Sequence, residues 1–340
     1  MEVSRRNFVK MLSMATLGVA AGNVLTVNGR AEANESKGDK YIVNHEQVPA
    51  YYHFKLGKME ITTLCDGMGI FTPEMCLTNL TAKEINNLAD RDYMPRTAKG
   101  IATVAINAFL INTGNHLILV DSGKGAVDGE IFTEKHGLVT EFLKASGYEP
   151  EDVDVLLPTH LHADHICGIE ENGQCIFPNA TLYLANQEKA YWLDSDMSSQ
   201  PQEAQIAAQI ARTAAKPYIA ANRVKTFEPG EEVFAGIKSV PLFGHTPGHT
   251  GYMVSSEGKS LFIWGDLLHV KAVQLPHPEV GIIFDSDTAE ARKRRAEMLP
   301  KLAEKKQLVC GAHLPFPGIG YLEKQGKNYH FHPIEYQLYH

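Results

Sequence analysis

Short apolar runs separated by glycine, asparagine and proline turns fill the chain from about residue 50 onward, the pattern of strands that bury one or both faces. Residues 54–56 and 59–64 flank Gly57-Lys58 and predict a hairpin; residues 105–112 and 116–120 flank Thr113-Gly114-Asn115 and predict a second. Further strands are predicted at 153–157, 181–185, 224–227, 236–241, 251–255 and 260–264. Apolar residues at helical spacing predict a helix over 134–145, stopped at Gly147, and another near 187–193. A segment rich in alanine and glutamine, 201–215, predicts a helix lying over the surface. A last helix over 287–305 is strongly charged on one side. Strands and helices run in two similar halves, which predicts a layered α/β architecture with no domain boundary inside residues 41–340.

The first 33 residues do not continue this pattern. Ser4-Arg5-Arg6-Asn7-Phe8-Val9-Lys10 is a twin-arginine sequence, an apolar stretch follows over 11–27, and Ala31-Glu32-Ala33 supplies a small-x-small cleavage signal. An ordinary amphipathic helix would not explain that order. Residues 1–33 therefore read as a cleaved twin-arginine signal peptide and 34–40 as a polar linker. The expected product is a periplasmic or secreted protein with no stable membrane span. That export route carries folded proteins, which suits a metal centre loaded in the cytoplasm.

Composition narrows the classes. A chain of 340 residues that is 44% hydrophobic has ample apolar surface for a core. A net charge of −8 leaves no broad basic face, so nucleic acid is excluded as a main partner. The five cysteines form no C-x-x-C pair. Cys167 and Cys175 lie close enough in sequence to bridge, but the plainer reading is that the cysteines are small buried hydrophobes.

The strongest chemical signal is Thr159-His160-Leu161-His162-Ala163-Asp164-His165, directly after an apolar strand. Imidazole and carboxylate are good ligands for zinc, manganese, iron and cobalt. His160 and His162 are two apart, so extended backbone points both the same way, and the turn after them lets Asp164 and His165 face a second position. Three later positions each follow a short apolar run. His249 ends Gly244-His245-Thr246-Pro247-Gly248-His249, Asp266 follows Trp264-Gly265, and His313 follows 308–312. His269, three residues after Asp266, reads as a packed or solvated histidine.

In the order of these motifs, residues 50–340 resemble the metallo-β-lactamase superfamily. The resemblance implies an αββα sandwich, two mixed sheets flanked by helices, with two divalent metals at the edge between the sheets, zinc first among them. It implies that His160, His162 and His249 hold one metal, that Asp164, His165 and His313 hold the second, and that Asp266 bridges both. Asp121, in Leu119-Val120-Asp121-Ser122-Gly123, matches the aspartate that orients a ligand in that family, and His245 would support a ligand from behind or be structural. The implied reaction is attack by a metal-bridging hydroxide, with Asp164 and Asp266 as the catalytic carboxylates.

Within the superfamily the resemblance runs to the methyl parathion hydrolase group. It is carried by Ala272-Val273-Gln274, Asp285-Ser286-Asp287, Phe316-Pro317-Gly318-Ile319-Gly320 and the ending around Tyr329, Phe331 and Pro333. Phe132 and Trp192 match two aromatic pocket positions of that group; a third has no counterpart in 203–210, which counts against proficiency on phosphotriesters. The expected substrate is a small ester, lactone or organophosphate. Thioesterase or β-lactamase activity on the same ligand set is the alternative, and a non-catalytic metal- or partner-binding scaffold is a reading of another class. Dimerisation is common in such relatives, although no segment here demands it.

Overall fold

Alternation along the strands decides which face of each sheet meets which layer. The computed structural model describes residues 47–70, 72–97, 102–127 and 136–338, so the signal segment, the linker and Phe132 lie outside the described residues. In chain order the strands are β1 (Tyr51–Leu56), β2 (Met59–Ile70), β3 (Thr103–Asn112), β4 (Leu117–Val120) and β5 (Val155–Leu156). A small ribbon of β6 (Glu170–Glu171) and β7 (Gln174–Cys175) precedes β8 (Thr181–Ala185) and β9 (Val224–Phe227). The second half supplies β10 (Glu232–Phe234), β11 (Ile237–Pro241), β12 (Thr250–Ser256), β13 (Lys259–Ile263), β14 (Leu308–Cys310), β15 (Ile319–Gln325) and β16 (Asn328–Pro333).

Two seven-stranded sheets result, ordered β1-β2-β3-β4-β5-β8-β9 and β10-β11-β12-β13-β14-β15-β16. Both are mixed. In the first, β1 to β4 pair antiparallel and β4, β5, β8 and β9 pair parallel; in the second, only β13 and β14 pair parallel. Ile118 and Val120 of β4 face Tyr252, Val254, Leu261 and Ile263 of the other sheet, forming the core between the sheets. Leu117 and Leu119 point the opposite way, towards Phe142, Leu143, Ala211 and Tyr218 of helices Val139–Ala145 and Gln202–Ala220. Phe262 and Val309 likewise turn outward onto Leu299 and Leu302 of helix Thr288–Glu304. The layers therefore run helix, sheet, sheet, helix.

Several elements differ from the sequence expectation for local reasons. The helix foreseen from residue 134 begins at Val139, because Gly137 is left-handed (φ +72°) with its Cα against the Gly125 carbonyl. The strand foreseen over 153–157 shrinks to Val155–Leu156; Val153 still closes a 3₁₀ turn on Pro150, and Pro158 has no N–H to donate. Helix Gln202–Ala220 is not a surface cover: Ala208, Ala211, Ala214 and Ala215 form a buried face within the core cluster, packed on the segments 163–169 and 190–194. All five cysteines are free thiols, with Cys76, Cys167 and Cys310 buried. Among the described residues no helix is long and apolar enough to cross a membrane.

Candidate metal centre

Every candidate ligand sits in a turn just past a strand, at one edge of the two sheets. His160, His162, Asp164 and His165 follow β5; His245 and His249 lie between β11 and β12; Asp266 follows β13; His313 follows β14. The first sheet thus contributes one half of the cluster and the second sheet the other. Gly265 permits the turn into Asp266: its φ is +53°, and a Cβ there would stand 2.6 Å from His249 Nε2 and 2.9 Å from Thr159.

Three ring nitrogens converge in a first group. His160 Nε2 is 3.1 Å from His162 Nδ1, which is 3.0 Å from His245 Nε2. Asp164, His165 and His313 form a second group, with Asp164 Oδ2 3.7 Å from His165 Nε2 and 3.5 Å from His313 Nε2. Asp266 stands between them. Its Oδ2 is 3.7 Å from His160 Nε2, 3.3 Å from His245 Nε2 and 3.3 Å from His165 Nε2, and its Oδ1 is 3.3 Å from His313 Nε2.

His249, implied by the resemblance as the third ligand of the first metal, lies beside the cluster, its ring 5.2 Å from that of His160, but joins neither group. Its Nδ1 donates to the Leu242 carbonyl at 3.0 Å, and its Nε2 accepts from the Asp266 N–H at 3.0 Å, so both ring nitrogens are committed to the backbone. His245, expected to support a ligand or be structural, brings its Nε2 within 3.0 Å of His162 Nδ1 and 3.3 Å of Asp266 Oδ2. His269 is also not merely packed: it is 5% exposed, its Nε2 lies 3.0 Å from Asp266 Oδ2, and its ring stacks on His313. Trp192 is 2% exposed and meets His162 edge-on at 5.6 Å, making it a wall behind a ligand ring rather than an open pocket rim.

The far nitrogen of most ligand rings is held. Asp121 Oδ2 is 2.9 Å from His165 Nδ1, while its Oδ1 accepts the Thr159 N–H at 2.7 Å. Asp285 Oδ1 is 3.0 Å from His245 Nδ1, Thr159 Oγ1 is 3.1 Å from His160 Nδ1, and the Ala105 carbonyl accepts from His313 Nδ1 at 2.9 Å. Asn107 Nδ2 donates to the carbonyls of Leu314 (2.8 Å) and Ala312 (3.1 Å), fixing the loop that presents His313. Such outer contacts settle which nitrogen faces inward. Asp285 lay within a segment that carried the resemblance, but Asn107 and Glu188, a buried carboxylate behind the ligand loops, had no motif to mark them.

Charge in the cluster follows from burial and crowding. Burial and the neighbouring His165 charge hold the His160 pKa well below its ordinary value; burial and His245 do the same to His162. Burial works against a charge on His165, but the carboxylates of Asp266, Asp121 and Asp164 outweigh it and raise that pKa well above normal. Burial also opposes ionisation of Asp266, yet His165, His313 and His269 keep it well below the usual carboxylate range. Burial pushes His249 down to about 3 and His269 to about 4.

These residues fit divalent cations. Ligands roughly 2.0–2.1 Å from a tetrahedral zinc lie about 3.3 Å apart, close to the spacings in the first group. His160 Nε2, His162 Nδ1 and His245 Nε2 lie within 4.8 Å of one another, and His165 Nε2 and Asp266 Oδ1 are buried with no hydrogen-bond partner. A mixed imidazole and carboxylate set suits zinc, manganese, iron or cobalt.

Comparison with known proteins gives the cluster its context. The sequence profile of the Metallo-beta-lactamase superfamily matches residues 102–313. An N-acyl homoserine lactonase of Bacillus cereus is 28% identical over 184 residues, 49% of this chain and 65% of that protein. A second, from a Bacillus species, is 30% identical over 165 residues, 44% of this chain and 58% of its own length. The chain thus spans less than two thirds of each of these curated relatives. Among solved structures, the hydrolase AbOPH in the beta lactamase superfamily is 36% identical with a TM-score of 0.80, covering 86% of this chain and 100% of that one. AidC, a dizinc quorum-quenching lactonase, has a TM-score of 0.75 over the same shares at 24% identity, a likeness of fold.

Proposed function

Because this chain belongs to the metallo-β-lactamase superfamily, we propose that it is a binuclear metal-dependent hydrolase of small carboxylic esters or lactones. The observation that carries this reading is the convergence of two donor groups, one from each end of the cluster, on the shared carboxylate of Asp266. His160, His162 and His245 would hold one ion, Asp164, His165 and His313 the other, and Asp266 both. Zinc is the first choice of metal, supported by the donor set and by the dizinc site of AidC. When bound, such ions supply a water with a pKa near 7 and stabilise the charge that develops on the attacked carbonyl.

The chain's own residues do the rest. Asp121, Asp285, Thr159 and the Ala105 carbonyl hold the ligand rings in one orientation, so little reorganisation is needed during turnover. Asp164 is the most open carboxylate of the set, its side chain 23% exposed against 3% for Asp266. It is therefore placed to take a proton from the entering water and return it to the departing alkoxide, giving an acid and an alcohol. A lactone or ester is favoured over a phosphotriester by the lactonase relatives and by the aromatic missing from 203–210.

We also propose export by the twin-arginine route, supported by Arg5-Arg6 and the Ala31-Glu32-Ala33 site. A mature chain beginning at Asn34 in a periplasmic fraction would support it; a cytoplasmic chain retaining Met1 would refute it. The activity is tested by metal analysis of the purified protein together with hydrolysis of an ester, lactone and phosphotriester panel before and after chelation. About two metals per chain, with turnover lost on chelation and restored by zinc, is the expected result. Activity indifferent to a chelator would overturn the reading.

A further inference from the structure

Glu188 lies on the short helix Asn186–Lys189, outside the ligand set, and is 2% exposed. Its Oε1 accepts the Leu161 N–H at 2.8 Å. Its Oε2 accepts the Gly248 N–H at 2.9 Å and the Thr246 hydroxyl at 2.7 Å. Leu161 separates His160 from His162, and Thr246 directly follows His245. One buried carboxylate therefore ties together the two loops that carry all three nitrogens of the first group, although those loops belong to different sheets. The approach is tight: a Cβ on Gly248 would stand 2.2 Å from the Glu188 backbone nitrogen. The helical turn that follows is anchored as well, since Arg212 donates to the carbonyls of Trp192 (2.9 Å) and Ser195 (2.6 Å), and Trp192 meets the His162 ring.

We propose that Glu188 is a positioning residue that sets the spacing of His160, His162 and His245 and thereby the metal affinity of that position. A buried carboxylate taking three donors is a rigid spacer, because each donor would otherwise be left unsatisfied. Glutamine cannot replace it. Its amide offers one acceptor oxygen, and its NH₂ must confront one of the N–H groups that Glu188 now satisfies. The effect is one-sided: Glu188 bonds to the loops of the first group, and none of these bonds reaches Asp164, His165 or His313.

This inference rests on the two-metal reading, and the test separates the two. Zinc dissociation constants for both positions are measured by chelator competition on the full protein, for the wild type, Glu188→Gln and Thr246→Val. Outer-shell contacts of this kind typically contribute about 10–100-fold in metal affinity. Glu188→Gln is expected to lose that at the first position only, with kcat recovered at saturating zinc. Thr246→Val, which removes a single donor, should weaken the same position by less, and it carries the test if Glu188→Gln does not fold. Equal weakening of both positions, or unchanged affinity with lowered thermal stability, would overturn the proposal and make Glu188 a core hydrogen-bonding group. A wild type that binds no zinc would refute the hydrolase reading instead.

Discussion

Asp121→Asn isolates a single hydrogen bond in the cluster. Asp121 is in the left-handed region (φ +59°), which asparagine tolerates as well as aspartate, so the substitution adds no backbone strain. The asparagine oxygen can still accept the Thr159 N–H that Asp121 holds at 2.7 Å. What changes is the partner 2.9 Å from His165 Nδ1: a carboxylate that accepts becomes an amide that donates. His165 must then carry its proton on Nε2, the nitrogen that faces Asp164 and Asp266, and that lone pair is lost to a cation. A hydrogen bond to a charged group contributes about 1.5–3 kcal/mol, and about 1.4 kcal/mol is a factor of ten, so the expected cost is roughly 10–100-fold in zinc affinity. It should fall on the position of Asp164, His165 and His313. Chelator competition at fixed pH, with kcat/KM measured at fixed free zinc, reads it directly. Wild-type affinity at both positions in Asp121→Asn would show that Asp121 serves only to hold Thr159.

His245→Ala should remove zinc from the first position with a modest change in stability. His249→Ala should retain zinc at measurable affinity but orphan the Asp266 N–H and the Leu242 carbonyl, costing about 1–3 kcal/mol each in urea unfolding; the reverse pattern would restore His249 as the ligand. Burial holds the His249 pKa at about 3 against an ordinary 6.5, so the unfolded chain binds a proton that the folded chain refuses. Its contribution to stability is therefore lost as pH falls from 6.5 towards 3, and His249→Ala should show a shallower loss over that window. Asn107→Leu takes the side-chain donor from the Leu314 carbonyl, while the Ala312 carbonyl keeps the backbone N–H of residue 107, and should cost about 1–3 kcal/mol; wild-type stability would refute its clamping role. With burial pushing the Cys76 thiol up to about 12 and also raising those of Cys167 and Cys310, a thiol reagent at pH 8 should label partly exposed Cys175 first. A chain with fewer than five titratable thiols after unfolding without reductant would refute the free state of the cysteines.

The layered α/β fold was legible because strand periodicity and core burial are local properties of the sequence. Boundaries were less so: the start of helix Val139–Ala145 depends on Gly137 meeting Gly125, a contact between segments. His160, His162, Asp164 and His165 could be read as a unit because all four donors lie in one turn. His245 and His249 share a glycine turn, and spacing alone does not say which ring faces inward. That is decided by the Leu242 carbonyl and the Asp266 N–H, which engage both nitrogens of His249. Glu188 acts on Leu161 and Thr246, and Asn107 on Ala312 and Leu314, all remote in sequence, so neither carried a pattern. The sequence marks His269 only as a packed or solvated histidine, because its relation to Asp266 depends on the turn that follows β13.

The order in which the ligands leave the ribosome has a consequence for biogenesis. His160 to His165 are made first, His245 and Asp266 later, and His313 only after β14. The group of Asp164, His165 and His313 lacks a donor until that segment has docked against Asn107, whereas His160, His162, His245 and Asp266 are all made before it. The two positions would therefore be completed at different times: a chain truncated before residue 308 keeps the donors of the first group but lacks His313, and added zinc could not restore the second.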